Sequence, residues 1–145
     1  MKFIANMFRR KRTGGLRYAL ERMDAATEQF RMAAEMTAQP QARLFWDLAA
    51  ASVELRAQVA AEPGVGGSLR RFLFFHMPKM SELCLRWARI SQADPLRAPD
   101  DSAIEAFRGY LGMIRAARDA CVSRRYDELD LNMEAFDEQL RRLSI

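Results

Sequence analysis

A proline set inside a long apolar helical pattern is the feature that most restricts how this 145-residue chain can fold. Leu69 to Ile90 reads LRRFLFFHMPKMSELCLRWARI. Stepped at about 100° per residue, Leu69, Phe72, Leu73, His76, Met80, Leu83, Cys84, Trp87 and Ile90 fall on one broad apolar face. Arg71, Lys79, Glu82, Arg86 and Arg89 gather opposite. Phe74, Phe75 and Leu85 lie outside the main arc, so this helix is expected to be covered from more than one side, as the central helix of a bundle. An interior proline removes a backbone hydrogen bond and costs roughly 3 kcal/mol or more. Either the helix kinks at Pro78, or it begins at Lys79 after a short turn of aromatics. The apolar face continues through the break, which favours the kink. Trp87, with Leu83 and Phe72, is expected to pack against Phe136 and Leu140 of the last helix.

The flanking sequence supplies the other helices. Leu16, Leu20, Met23, Phe30, Ala34 and Thr37 mark a helix from about Leu16 to Ala38, ended by Gln39-Pro40 because a residue before proline is pushed out of the helical region. Phe45, Leu48, Ser52, Leu55 and Val59 mark an alanine-rich helix from about Gln41 to Ala61. Glu62-Pro-Gly-Val-Gly-Gly stops it, and Ser68 is placed to cap the central helix. The loop Ser91 to Asp101 carries two prolines and three aspartates. Ser102-Ala-Ile-Glu105 then reads as a capping box, followed by a stripe of Ile104, Phe107, Leu111, Ile114 and Cys121. Asp127 can cap the last helix, where Leu129, Met133, Phe136, Leu140 and Leu143 keep a 4-3-4-3 spacing typical of a left-handed packing seam. No run alternates as a strand would. The expected fold is all-α, a bundle of about five helices over residues 16–145 with a short basic segment, residues 1–15, ahead of it.

Charge is divided unevenly. The formal net charge is +4, yet residues 1–17 carry Lys2, Arg9, Arg10, Lys11, Arg12 and Arg17 and no acid, which leaves the remainder at −2. A near-neutral body argues against nucleic acid as a partner, since that wants basic residues clustered on the folded surface. In the N-terminal segment Phe3, Ile4, Met7 and Phe8 share a helical face and are followed by Arg9, Arg10, Lys11 and Arg12. The apolar run is too short to span a bilayer, and its charge lies on the wrong side for a secretory signal. Two readings stay open: a short interfacial anchor on anionic lipid, or a solvated terminus. Thr13-Gly14-Gly15 reads as a flexible break after it.

Residues with catalytic potential do not assemble into a known pattern. A thiol nucleophile of the phosphatase kind wants an arginine six residues on, but Cys84 is followed there by Ile90 and Cys121 by Asp127. Both cysteines sit on apolar faces and read as small core residues. Asp130-Leu-Asn132 is a near miss of the aspartyl-nucleophile pattern, on a helix. One histidine cannot make a zinc site of usual composition, and His76 on its apolar face reads as a core residue bonded to a carbonyl ahead of a ligand or base. The acidic row Asp127, Asp130, Glu134, Asp137 and Glu138 reads as a solvated face rather than a cation site. Gly64-Val-Gly-Gly67 lacks the Lys-Ser/Thr of a phosphate cradle. The Arg71, Lys79, Arg86 and Arg89 sector is the one candidate anion site, although Glu82 beside Arg86 suits ordinary pairing. No metal or cofactor is expected.

From Leu69 to the end, the chain resembles the family named for 5-bromo-4-chloroindolyl phosphate hydrolysis, the XpaC-like proteins. The likeness lies in Arg71-Phe72-Leu73-Phe74-Phe75-His76-Met77-Pro78 followed by Leu83 and Trp87, then in Ile104-Glu-Ala-Phe107 and the segment Tyr126 to Met133. It departs at His76 and Met77, where the family tends to tyrosine and leucine. The resemblance implies a helical bacterial protein, cytoplasmic or peripheral on the inner membrane, linked to toxic-anion-resistance proteins. The family name records a phenotype and brings no catalytic residue set. A non-catalytic interaction or adaptor protein is the expected function, with a phosphate-ester hydrolase as the alternative.

Overall fold

The computed structural model describes the backbone of residues 2–61, 67–96 and 101–143, and the side chains of residues 15–61, 67–96 and 101–142. The described residues are all-α. The elements are α1 (Lys2–Met36), α2 (Gln41–Ala61), α3 (Gly67–Arg71), a π-helical turn (Phe72–His76), α4 (Met77–Ala93), α5 (Asp101–Ser123) and α6 (Asp127–Leu143). Because α3, the π turn and α4 follow one another without interruption, the described residues form five helical rods. α1 does not break at Thr13-Gly14-Gly15 as the sequence suggested but runs through it. Two glycines cost a helix only about 1 kcal/mol each, which leaves helix as an accessible state there.

α1 is flanked by α2 and α4, and α5 packs on α2 and touches α4. The contacts give an up-down-up-down order. Asp24 of α1 bonds Arg56 of α2 at 2.6 Å, Gln29 of α1 accepts from Ser81 of α4 at 2.5 Å, and Glu54 of α2 pairs with Arg118 of α5. The core between them is formed by Met23, Phe30, Phe45, Leu48, Leu55, Met80, Phe107 and Ile114, all buried. Alanines at 19, 26, 33, 34, 49 and 51 let α1 and α2 approach closely. The buried hydroxyls of Thr27 and Ser52 are satisfied within their own helices, on the carbonyls of Met23 and Leu48. The predicted stripe of α2 is buried at every position, whereas Leu16 and Leu20 of α1 sit only at the edge of the core.

Pro78 is accommodated in a way the helical pattern does not show. The π turn closes with a bond from the Met77 N–H to the Phe72 carbonyl, five residues back, so one extra residue enters the helix ahead of the proline. Pro78 has no N–H to offer the carbonyl of Phe74, four residues earlier. That carbonyl accepts instead from Nη2 of Arg22, on α1, at 3.3 Å. The inserted residue also turns the buried face of α4 onward. Met77, Met80, Ser81, Cys84, Leu85 and Ala88 are buried, while Ile90, expected inside, is 48% exposed. Trp87 is half-buried and does not reach α6 as expected. It lies against Phe45 and Phe107, at 5.7 and 5.9 Å between ring centroids.

Both chain reversals around α5 and α6 follow local rules. Arg124 takes a left-handed φ of 58° directly after α5, which ends the helix as a C-terminal cap does. α6 opens with a bond from the Asp130 N–H to the Tyr126 carbonyl at 2.9 Å. Its first turn carries Asp127, Glu128 and Asp130 and its last carries Arg141 and Arg142, the arrangement the helix dipole favours. α5 opens at Asp101, which puts Ser102 inside its first turn. Gly67 has a φ of +58° at the start of α3, a conformation that suits glycine, and Ser68 lies within that helix.

Candidate functional site

α6 is the element that gives the bundle an open recess. It lies across the seam between α5 and the π turn, held by Leu129, Met133 and Phe136, all buried. Phe136 meets Tyr110 of α5 edge-on at 5.3 Å and His76 of the π turn at 5.6 Å. Asp137, on the next position, accepts from Nε2 of His76 at 2.8 Å through one oxygen and from Arg71 at 2.7 Å through the other. Nδ1 of His76 lies 3.3 Å from the Arg71 carbonyl. His76 is therefore a core residue with a carboxylate partner, and the three side chains latch α6 to the end of α3 and the π turn.

On the far side of that latch, α5 and α6 diverge into a groove of about 950 Å³. Its floor is Ala106, Gly109, Tyr110 and Met113 from α5 with Ala135 and Phe136 from α6. Its rim carries Asp101, Glu105 and Glu138, with Arg142 as the basic member, bonded to Glu138 at 2.8 Å. Nothing lies within 4 Å of a Cβ built on Gly109. The groove thus joins a small-residue, aromatic-edged floor to a predominantly acidic rim. A helix with apolar residues on one face and basic residues beside them matches it in shape and sign.

Burial favours the neutral forms of Tyr110, on the groove floor, and of Cys84 near it. Desolvation pushes the Tyr110 phenol up to about 12, with the nearby Cys84 thiol adding to the rise. The Cys84 thiol is itself pushed well up by burial. Cys84 and Cys121 are both buried thiols, and Cys84 in particular is in no state to act as a nucleophile.

The four residues of the candidate anion sector do not converge. Arg71 is turned to Asp137, and Lys79 lies 3.8 Å from Glu82. Arg86 and Arg89 share a shallow cleft with Gln29, Glu82, Leu85 and Ile90. The π insertion separates the first of these from the others. The acidic row on α6 is likewise divided, with Asp137 in the latch and Glu138 paired to Arg142. Among the described residues no three His, Cys, Asp or Glu side chains are grouped as a metal site would need. The segment from Phe3 and Ile4 through Met7, Phe8, Arg9, Arg10, Lys11 and Arg12 lies outside the described side chains. Among the described residues no helix is long and apolar enough to cross a membrane.

Sequence reasoning missed the groove itself. Its signal was present in the small residues Ala106 and Gly109, three positions apart along α5. The latch had no local signal, because Asp137 is 61 residues from His76. No family model, curated protein or solved structure matches the chain.

Proposed function

We propose that this chain is a non-catalytic helical adaptor, which holds a basic amphipathic helix of a protein partner in the α5–α6 groove while its N-terminal segment rests on an anionic membrane surface. The observation that carries the reading is the groove's apolar floor beneath the acidic rim of Asp101, Glu105 and Glu138. The clustered Arg9, Arg10, Lys11 and Arg12 beside an apolar run support the membrane half. The resemblance of residues 69–145 to the XpaC-like family points to a toxic-anion-resistance protein as the partner and to the inner membrane of a bacterium as the surface.

Gly109→Leu separates a blocked groove from a damaged fold. The leucine side chain would occupy open space and should raise helix stability by up to about 1 kcal/mol. A fluorescent synthetic helix with leucines on one face and lysines flanking them is expected to bind the wild-type protein. Binding should weaken with salt and fall at least tenfold in Gly109→Leu. Equal binding by both proteins would remove the groove from the account. Assay on an indoxyl or nitrophenyl phosphate, with and without divalent ions, covers the hydrolase alternative. Robust turnover abolished by one point substitution would overturn the adaptor reading.

A further inference from the structure

The folded body carries an exposed aromatic cluster, and its position bears on how the N-terminal segment would work. Phe75 is 72% exposed and Tyr18 is 53% exposed. Tyr18 stacks on Phe74 at 5.3 Å, and the Arg70 guanidinium lies over the same ring at 5.5 Å. Phe75 lies off the apolar arc and is exposed, while Phe72, Leu73 and His76 of the same turn are buried. Large aromatics beside arginines, standing out from the surface, suit the boundary between lipid headgroups and acyl chains.

We propose that Tyr18, Phe74 and Phe75, with Arg70, form a ledge that enters an anionic lipid surface as the second half of the contact begun by the N-terminal segment. The inference rests on the anchoring reading above and extends it from the segment to the folded body. Continuity of α1 supports the link. With the helix unbroken from Lys2, positions 7, 11, 14 and 18 follow one another at spacings of four, three and four along one side. The segment is then joined to the ledge as one rod. Charge selects the occupant. The first acidic residue in the chain is Glu21, and it is paired with Arg17 at 3.4 Å. Residues 1–20 hold no acid, and Arg22 and Arg70 add positive charge beside Phe74, which matches anionic lipid.

Flotation of the full chain with phosphatidylcholine vesicles containing about a third phosphatidylserine tests this. Phe75→Ser should keep the wild-type thermal midpoint and lower the bound fraction by about tenfold in partition coefficient. Leu96→Ser, which alters a residue 96% exposed beyond the opposite end of α4, should leave it unchanged. Wild-type flotation by Phe75→Ser, with flotation abolished on removing residues 2–12, would overturn the ledge and leave the segment as the whole anchor. Failure of the full chain to float would overturn both the anchoring reading and this one.

Discussion

Trp87 shows how much a single position depends on what lies across from it. Its ring is half-buried between Phe45 of α2 and Phe107 of α5, so it links three helices of the bundle rather than α4 and α6. Trp87→Ala is expected to lower stability by about 2–4 kcal/mol, toward the lower part of the range for large aromatics because one edge is solvated. Arg86→Ala, one residue earlier and exposed, should cost under about 1 kcal/mol. Denaturant melts of the two variants check the pair. Tyr110 makes a second prediction at this scale. Its phenol is pushed up to about 12 by burial, against about 10 in an unfolded chain. The folded state therefore favours the neutral phenol. That contribution is whole below about pH 10 and is lost as pH rises through about 12. The thermal midpoint of the wild type should fall more steeply over that window than that of Tyr110→Phe. Parallel curves would show that Tyr110 ionises without cost to the fold.

At the scale of the element, the π turn and Pro78 act together. Alanine at position 78 would regain an N–H, but the carbonyl it would reach, that of Phe74, is already held by Arg22. The substitution also releases the unfolded chain from proline's restraint, so Pro78→Ala should destabilise by about 1 kcal/mol. A gain in stability in a denaturant melt would show that the backbone bond outweighs the one from Arg22. The same turn explains what was legible beforehand and what was not. α2 could be read from Phe45, Leu48, Ser52, Leu55 and Val59 because nothing interrupts its period. α6 could be read from Leu129, Met133 and Phe136 for the same reason. The one-residue insertion among Phe72 to His76 leaves no mark in composition, since every residue there is apolar or aromatic either way. It turns the buried face after it onward, which is why Leu85 and Ala88 are buried and Ile90 is not, while Met80 and Cys84 stay inside. The groove was hidden for another reason: small residues on α5 fit equally well beneath a close neighbour or beside an empty recess.

Across the whole molecule, α6 is the rod with the least holding it. Among the described residues its buried side chains are Leu129, Met133 and Phe136, whereas α1 and α2 share a long alanine-lined interface. The latch makes up part of the difference. Asp137 takes bonds from both His76 and Arg71, and hydrogen bonds to a charged group contribute about 1.5–3 kcal/mol. Asp137→Ala would leave the buried Nε2 of His76 without its acceptor, a further reason to expect a loss of about 2–3 kcal/mol. The loss should not spread evenly. Regions with few buried contacts open locally before the molecule unfolds, so amide exchange in α6 is expected to rise on the order of 10²-fold in Asp137→Ala while α2 changes far less. Asp137→Asn should fall between, since its amide oxygen still accepts from His76 but no longer carries charge toward Arg71. Because α6 forms one wall of the groove, the same variant should also weaken binding of the basic helical probe. Equal acceleration in α2 and α6 would mean that α6 opens only with the whole bundle, and the groove would then be a rigid feature rather than one whose wall can move.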